Sequence, residues 1–107
     1  MKIELLYFDG CPSYEAFLPQ LLTLLGRVGV DARVEQRRVE SDDAARSERF
    51  LGSPTLRVDG FDVDTTAEQR TDYGLKCRLY STRDGLRAAP PDEWVLDALQ
   101  RGTDYRS

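Results

Sequence analysis

The chain has 107 residues, of which 40% are hydrophobic and 32% are charged, the length and composition of one folded domain rather than of a disordered chain. Its net charge of −4 argues against a general nucleic-acid-binding protein, which would carry an excess of basic residues. The absence of histidine excludes the common zinc sites and every cysteine–histidine or serine–histidine catalytic pair.

The sequence shows no segment that would direct the protein to a membrane or out of the cell. No hydrophobic run approaches the length of a membrane span, and residues 1–8 lack the pattern of a signal peptide. Two cysteines, Cys11 and Cys77, are too few for the disulfide framework of a small secreted protein. These observations predict a cytoplasmic protein with no membrane or nucleic-acid partner.

The first third of the chain has the hydrophobic pattern of a strand, a helix and a second strand. Residues 2–8 are mostly apolar, as in a strand that is covered on both faces. From Pro12 onward the apolar residues follow helical spacing, with Pro19 as an expected kink. Alternation then predicts a second strand over residues 30–39. Such a unit is right-handed and its two strands are parallel.

A short helix and a hairpin are predicted next. Ser41, followed by two acidic residues, is a typical helix start, and the helix is expected to extend to residue 51. Two short alternating runs flank Asp59-Gly60, which is the strongest hairpin signal in the chain.

The C-terminal part is less regular. Residues 64–74 are predicted to form a loop with one helical turn, and residues 75–81 an extended piece. A last helix is expected to open at Pro90 and to end before Gly102, with frayed residues after it. Together these elements predict one α/β domain over residues 1–107.

Cys11 lies where the first strand has ended and the helical pattern begins. Unpaired N–H groups and the positive end of the helix dipole stabilise a thiolate at that position, and a thiolate is a nucleophile. Asp9 acts in the opposite direction, because a nearby carboxylate disfavours a second negative charge. The alternative interpretation of Cys11 is a half-buried thiol without chemistry.

The order of these features resembles the thioredoxin-like superfamily. The matching features are a strand, Cys11 at a helix start, a proline within that helix, and the turn Ser53-Pro54-Thr55 before a hairpin. The resemblance covers roughly residues 2–64 and, more loosely, the last helix. It implies a parallel βαβ half, an antiparallel β-hairpin, and helices on both faces of the sheet.

The resemblance also implies roles for individual residues. Cys11 would be the reactive cysteine, and Pro54 would be a cis-proline beside it rather than an ordinary proline at a strand entry. The backbone next to that proline would pair with the substrate like an added strand. The residues implied in substrate binding are Pro12, Tyr14, Ser53, Pro54 and Thr55.

The second cysteine of the superfamily motif is replaced by Tyr14, so Cys11 cannot form the short local disulfide. Cys77 is the only other cysteine, and a disulfide would need the two Cα atoms within ~7 Å of each other. The interpretation of Cys77 as a resolving cysteine or a second ligand stands beside that of a buried structural cysteine. Arg78, next to it, is expected to be solvated or to stabilise a thiolate.

Three longer motifs are similar to those of small bacterial thioredoxin-like proteins that are labelled alkylmercury-lyase-like or possible selenoproteins. These motifs are Phe8-Asp9-Gly10-Cys11-Pro12, Gly52-Ser53-Pro54-Thr55 and Gly74-Leu75-Lys76-Cys77-Arg78-Leu79-Tyr80.

Three functional hypotheses follow. The first is a thiol–disulfide oxidoreductase or thiol-based reductase without a cofactor. In it Cys11 attacks a protein or small-molecule disulfide, and Cys77 or a low-molecular-weight thiol resolves the intermediate. The second is soft-metal binding or organomercurial cleavage by Cys11 and Cys77, with Asp9 as the acid. The third is a non-catalytic module for association, for example as a dimer.

Overall fold

A computed structural model of the chain describes the backbone of residues 1–106 and the side chains of residues 1–102. The helices and strands follow one another along the chain. They are β1 (Ile3–Tyr7), α1 (Pro12–Arg27), β2 (Val34–Arg38), α2 (Asp42–Glu48), β3 (Thr55–Val58), β4 (Phe61–Asp62), a 3₁₀ turn (Ala67–Gln69), β5 (Tyr80–Thr82), β6 (Gly85–Arg87) and α3 (Asp92–Arg106).

The main sheet is mixed and has four strands in the order β2-β1-β3-β4. β1 is parallel to β2 and antiparallel to β3, and β3 is antiparallel to β4. The parallel βαβ half and the antiparallel hairpin predicted from the sequence are therefore both present. β5 and β6 form a separate antiparallel hairpin.

Successive residues of β1 project to opposite faces of the sheet, and both faces are covered. Ile3 and Leu5 belong to a large apolar cluster with residues of α1 and α3. Leu6 belongs to a second cluster with Ala45 of α2 and with Phe50. The prediction of helices on both faces is thereby confirmed, and the protein is an α/β domain with three helices and a mixed sheet.

The turn between β3 and β4 has the backbone conformation that its sequence favours. Asp59 and Gly60 both have positive φ, 52° and 87°, as the two central residues of a tight hairpin turn with the twist of the flanking strands require. This short turn makes the chain reverse, so that β4 runs back toward the end of the sheet at which α1 begins.

Three predicted boundaries were wrong, each because tertiary contacts outweigh the local pattern. β2 is shorter than residues 30–39, because Val30 and Ala32 pack against the large core cluster and do not pair. α2 ends at Glu48 rather than at residue 51. Arg49 adopts a left-handed conformation there, with φ of 56°, and Phe50 turns into the core.

The last helix also differs from its prediction. α3 continues through Gly102 to Arg106, and a Cβ atom at position 102 would lie 3.0 Å from Oδ2 of Asp59. The absence of a side chain thus lets α3 approach the turn between β3 and β4. Ser107, part of the tail expected to fray, lies outside the described residues.

Within the described residues, no helix combines the length and the apolar character that crossing a membrane requires.

Candidate functional site

Cys11 is the N-cap of α1, as the sequence predicted. Its backbone is extended, with φ of −80° and ψ of 109°, and Pro12 occupies the first helical turn. The Cys11 sulfur accepts a hydrogen bond from the Tyr14 N–H at 3.4 Å, which satisfies one of the unpaired donors of the helix start. The residue is only 1% exposed. The sulfur therefore sits against the positive end of a helix, inside the protein.

The Cys11 thiol also contacts the segment before β3. Its S–H donates to the carbonyl oxygen of Ser53 at 3.7 Å. The peptide bond between Ser53 and Pro54 is cis, which confirms the prediction for Pro54. The contact joins two parts of the chain that are 42 residues apart.

Ser53 is also paired with residues 76–78, named here the bridging segment. The Ser53 N–H donates to the Lys76 carbonyl oxygen at 2.8 Å, and the Ser53 carbonyl oxygen accepts from the Arg78 N–H at 3.0 Å. Ser53 and Cys77 thus form a parallel β-bridge. Both polar backbone groups of Ser53 are in use.

The two cysteines are brought to the same residue by these contacts. The carbonyl oxygen of Ser53 accepts from the Cys11 thiol and from the N–H that follows Cys77. The two cysteines are not joined by a disulfide, and they differ in exposure: Cys11 is buried and Cys77 is exposed. The interpretation of Cys77 as a buried structural cysteine was wrong.

The Ser53 hydroxyl stands out at this junction. The residue is completely buried, and its Oγ atom has no hydrogen-bond partner. Because an unsatisfied buried hydroxyl is costly, it marks a position where an additional acceptor would be stabilised.

Gly52 allows the bridging segment to approach this closely. Its φ is +128°, a conformation that favours glycine. A Cβ atom at this position would lie 2.9 Å from both the Cβ atom of Arg78 and the carbonyl oxygen of Lys76. Any larger residue would push the bridging segment away from Ser53.

Arg78 anchors the bridging segment in the interior, and the expectation that it is solvated was wrong. Its side chain is fully buried. It donates to both carboxylate oxygens of Asp62, at 2.7 and 3.1 Å, and lies 3.5 Å from Asp64. It also donates to the Thr55 hydroxyl at 3.0 Å, and its guanidinium lies 4.4 Å from the centre of the Tyr80 ring.

Tyr80 provides a second anchor. Its hydroxyl donates to the carbonyl oxygen of Pro54, so the residue after the bridging segment is also tied to the turn beside Cys11. Burial raises the pKa of Tyr80 far above its ordinary value, which keeps the phenol a neutral donor.

Of the other residues predicted for the site, Pro12 and Tyr14 lie next to Cys11 at the start of α1. Tyr14 contacts the Cys11 sulfur through its backbone; its ring stacks on Tyr7 at 3.9 Å and its hydroxyl donates to Gln36. Burial raises the pKa of Tyr14, so this hydroxyl stays protonated at neutral pH. Pro12 is exposed beside Cys11.

Thr55 and Asp9 each have a partner within the protein. The Thr55 hydroxyl is buried and donates to the carbonyl oxygen of Gly52 at 2.6 Å. Asp9 is exposed and pairs with Arg38 at 2.8 Å. The carboxylate that was expected to oppose a Cys11 thiolate is therefore partly compensated by a cation.

Sequence reasoning missed the residues that hold the bridging segment. Alternation of inward and outward side chains over residues 77–80 was available as a signal, with Arg78 and Tyr80 pointing inward. This signal could not be interpreted from the sequence alone, because nothing in the sequence shows that Asp62 and Asp64 lie beside Arg78.

Neither cysteine lines either of two surface cavities. One, of about 570 Å³, lies between the β3–β4 region and α3, and the other, of about 510 Å³, lies between residues 63–70, residues 79–81 and α3. In residues 1–102 there is no group of three or more cysteine or acidic side chains arranged to hold a metal ion. The chemistry that these contacts offer is that of two thiols.

Comparison with protein-family models, with curated proteins and with solved structures finds no match for this chain.

Proposed function

We propose that the protein is a thioredoxin-like thiol–disulfide oxidoreductase whose redox centre is formed by Cys11 and Cys77. Cys11 is the nucleophile at the helix N-terminus, and Cys77 or a low-molecular-weight thiol completes the exchange. One observation carries the proposal: the Cys11 thiol and the N–H that follows Cys77 bind the same carbonyl oxygen of Ser53.

The architecture supports the thioredoxin-like part of this proposal. A parallel βαβ unit, an antiparallel hairpin and helices on both faces of the sheet are what the resemblance implies. The cysteine is at the start of the first helix, and the turn before β3 lies against it.

The local electrostatics support the role of Cys11. The Tyr14 N–H already points at the sulfur, and the helix dipole favours negative charge at this end. In an exchange the thiolate attacks a sulfur of a disulfide, that S–S bond breaks, and the other sulfur leaves as a thiolate.

The test is the reduction of a small disulfide by dithiothreitol, catalysed by the protein. We expect both Cys11→Ser and Cys77→Ser to lower the rate strongly, because the proposed exchange uses both thiols. Serine is a good N-cap, so Cys11→Ser keeps the start of α1 intact, which circular dichroism verifies. Full turnover by the Cys11→Ser variant would refute the proposal.

A second function is favoured by the same pair of thiols. Two free cysteine thiols suit linear coordination of a soft ion such as copper(I) or mercury(II). One ion bound per chain in the reduced protein, and lost in either serine variant, would favour metal handling. A protein that neither binds such an ion nor catalyses exchange would be the association module.

A further inference from the structure

The different exposure of the two cysteine residues indicates an order of events that the sequence does not. Cys11 is 1% exposed, whereas Cys77 is exposed. Thiol–disulfide exchange requires an in-line approach of an external disulfide to the attacking sulfur, so access limits the first step. We infer that a low-molecular-weight disulfide reacts first at Cys77, and that Cys11 makes the second, internal attack. This inference rests on the proposed function.

The size of the substrate follows from the pairing at Ser53. An extended peptide that added itself as a strand would need the N–H and the carbonyl of Ser53. Both are already bonded to the bridging segment, at 2.8 and 3.0 Å. The bridging segment is held in turn by the buried Arg78 and by Tyr80, so its displacement is costly. The substrate is therefore a small disulfide that needs no backbone pairing.

Cys77 itself occupies the position that the cysteine of such a peptide would take. It lies directly opposite Ser53, in a segment paired through the backbone, and the Cys11 thiol donates to the carbonyl oxygen of the same Ser53. The protein thus carries its own tethered sulfur for Cys11 to attack, and an external disulfide has only to load it.

The unpartnered hydroxyl of Ser53 is the second observation at this site. It is completely buried, and its residue contacts Cys11 and faces Cys77 across the bridge. Side chains of directly paired residues project from the same face. We assign Ser53 as a positioning residue, whose buried O–H donates to the Cys11 sulfur when that sulfur is the thiolate that attacks the mixed disulfide.

The two steps balance. The Cys77 thiolate attacks one sulfur of RS–SR, the S–S bond breaks, and RS⁻ leaves, giving Cys77–S–S–R. The Cys11 thiolate then attacks the Cys77 sulfur and expels the second RS⁻, which leaves a Cys11–Cys77 disulfide. The two cysteines are oxidised by two electrons, the substrate is reduced to two RSH, and the two thiol protons end on the two leaving groups.

The experiment follows the reaction of reduced protein with glutathione disulfide by rapid quenching and intact mass. We expect Cys11→Ser to accumulate one stable glutathione adduct on Cys77, at the rate of the first step in the wild type. Cys77→Ser should react at Cys11 at least ~10-fold more slowly, because the chain must open locally first. The wild type should end as an internal disulfide without adduct.

Ser53→Ala tests the positioning role separately. We expect it to leave the rate of adduct formation on Cys77 unchanged and to slow the conversion of that adduct into the internal disulfide by ~3- to 10-fold, the value of one hydrogen bond. Ser53→Thr, which keeps the hydroxyl, should restore most of the rate; failure to do so would make Ser53 a packing residue only.

The outcomes separate the two proposals. Fast adduct formation at Cys11 in Cys77→Ser, with an internal disulfide still formed by the wild type, would overturn the order of attack and leave the oxidoreductase intact. Two independent adducts and no internal disulfide in the wild type would overturn the paired redox centre itself. A ten-residue peptide carrying a glutathione mixed disulfide should react no faster than glutathione disulfide; a faster reaction would overturn the small-substrate assignment.

Discussion

Two regions of the protein are stabilised by different kinds of interaction. The scaffold, residues 1–64 with α3, is built around two apolar clusters on the two faces of the sheet. The arm, residues 65–87, contains the bridging segment and the β5–β6 hairpin and contributes one large apolar side chain to the interior, Tyr80. Its main buried group is an arginine, paired with carboxylates at the edge of the scaffold.

The proposed redox centre lies where these two regions meet. Cys11 belongs to the scaffold and Cys77 to the arm, and Ser53 connects them. Apolar burial tolerates small changes in position, whereas a buried ion pair is strongly directional. The arm is therefore positioned by a few directional contacts, and removing one of them should move Cys77 away from Ser53.

The largest effect is expected from Arg78→Met. The substitution leaves Asp62 and Asp64 at a largely buried site without their cation, and breaking one side of a buried ion pair costs about 3–5 kcal/mol. Urea denaturation measures the loss. Arg87→Met, at an exposed position in the same arm, should stay within ~0.5 kcal/mol of the wild type.

Hydrogen exchange of the Arg78→Met variant shows whether the arm opens independently of the scaffold. Amides of β5 and β6 should lose protection, while those of β1 and α1 should keep it, since their apolar clusters do not include the arginine. A uniform loss of protection over both regions would mean that the arm and the scaffold unfold as one unit.

A smaller effect is expected from Gly52→Ala. The new methyl group would meet Arg78 and Lys76 at 2.9 Å, in a backbone conformation that alanine disfavours, which together cost about 1–3 kcal/mol. The matched control is Gly26→Ala inside α1, where the added Cβ meets nothing within 4 Å and a gain of about 0.5–1 kcal/mol is expected.

The same variant tests the connection between the arm and the reactive sulfur. The bridging segment and the Cys11 thiol both bind the Ser53 carbonyl oxygen. Displacement of the bridging segment should therefore raise the rate at which iodoacetamide alkylates Cys11 in the folded protein. The rate at Cys77, already exposed, should change little. A destabilised Gly52→Ala protein with an unreactive Cys11 would show that other parts of the chain cover the sulfur.

The scaffold was largely predictable from the sequence, and the arm was not. The apolar run of β1, the helix start at Cys11 and the turn at Asp59-Gly60 are local patterns that act within a few residues. The burial of Arg78 depends on carboxylates 14 and 16 residues away, and such a pairing leaves no periodic signal.

In the candidate site, too, one part was predictable from the sequence and the other was not. The position of Cys11 beside Ser53 follows from motif order, and the bridge between Ser53 and Cys77 depends on where the loop after β4 leads the chain. The sequence left open whether Cys77 would lie near this position.

The smallest effect is expected for Asp72, a residue of the arm whose carboxylate pairs with Lys76 of the bridging segment. Its carboxylate accepts from Arg70 at 2.7 and 3.0 Å and from Lys76 at 2.8 Å. Hydrogen bonds from Arg70, and then from Lys76, lower the pKa of Asp72 below its ordinary value. The side chain is half exposed, so solvent screening limits its contribution to about 0–1 kcal/mol.

A pKa lowered on folding means that the contribution is complete above the ordinary aspartate pKa of about 4 and is lost as the pH falls toward the lower folded value. Asp72→Asn should therefore differ most from the wild type at neutral pH, and the difference in the free energy of unfolding should shrink on acidification. Asp84→Asn, in the exposed turn of the β5–β6 hairpin, serves as the control. A difference that widened toward low pH would show that Asp72 is held by something other than its two cations.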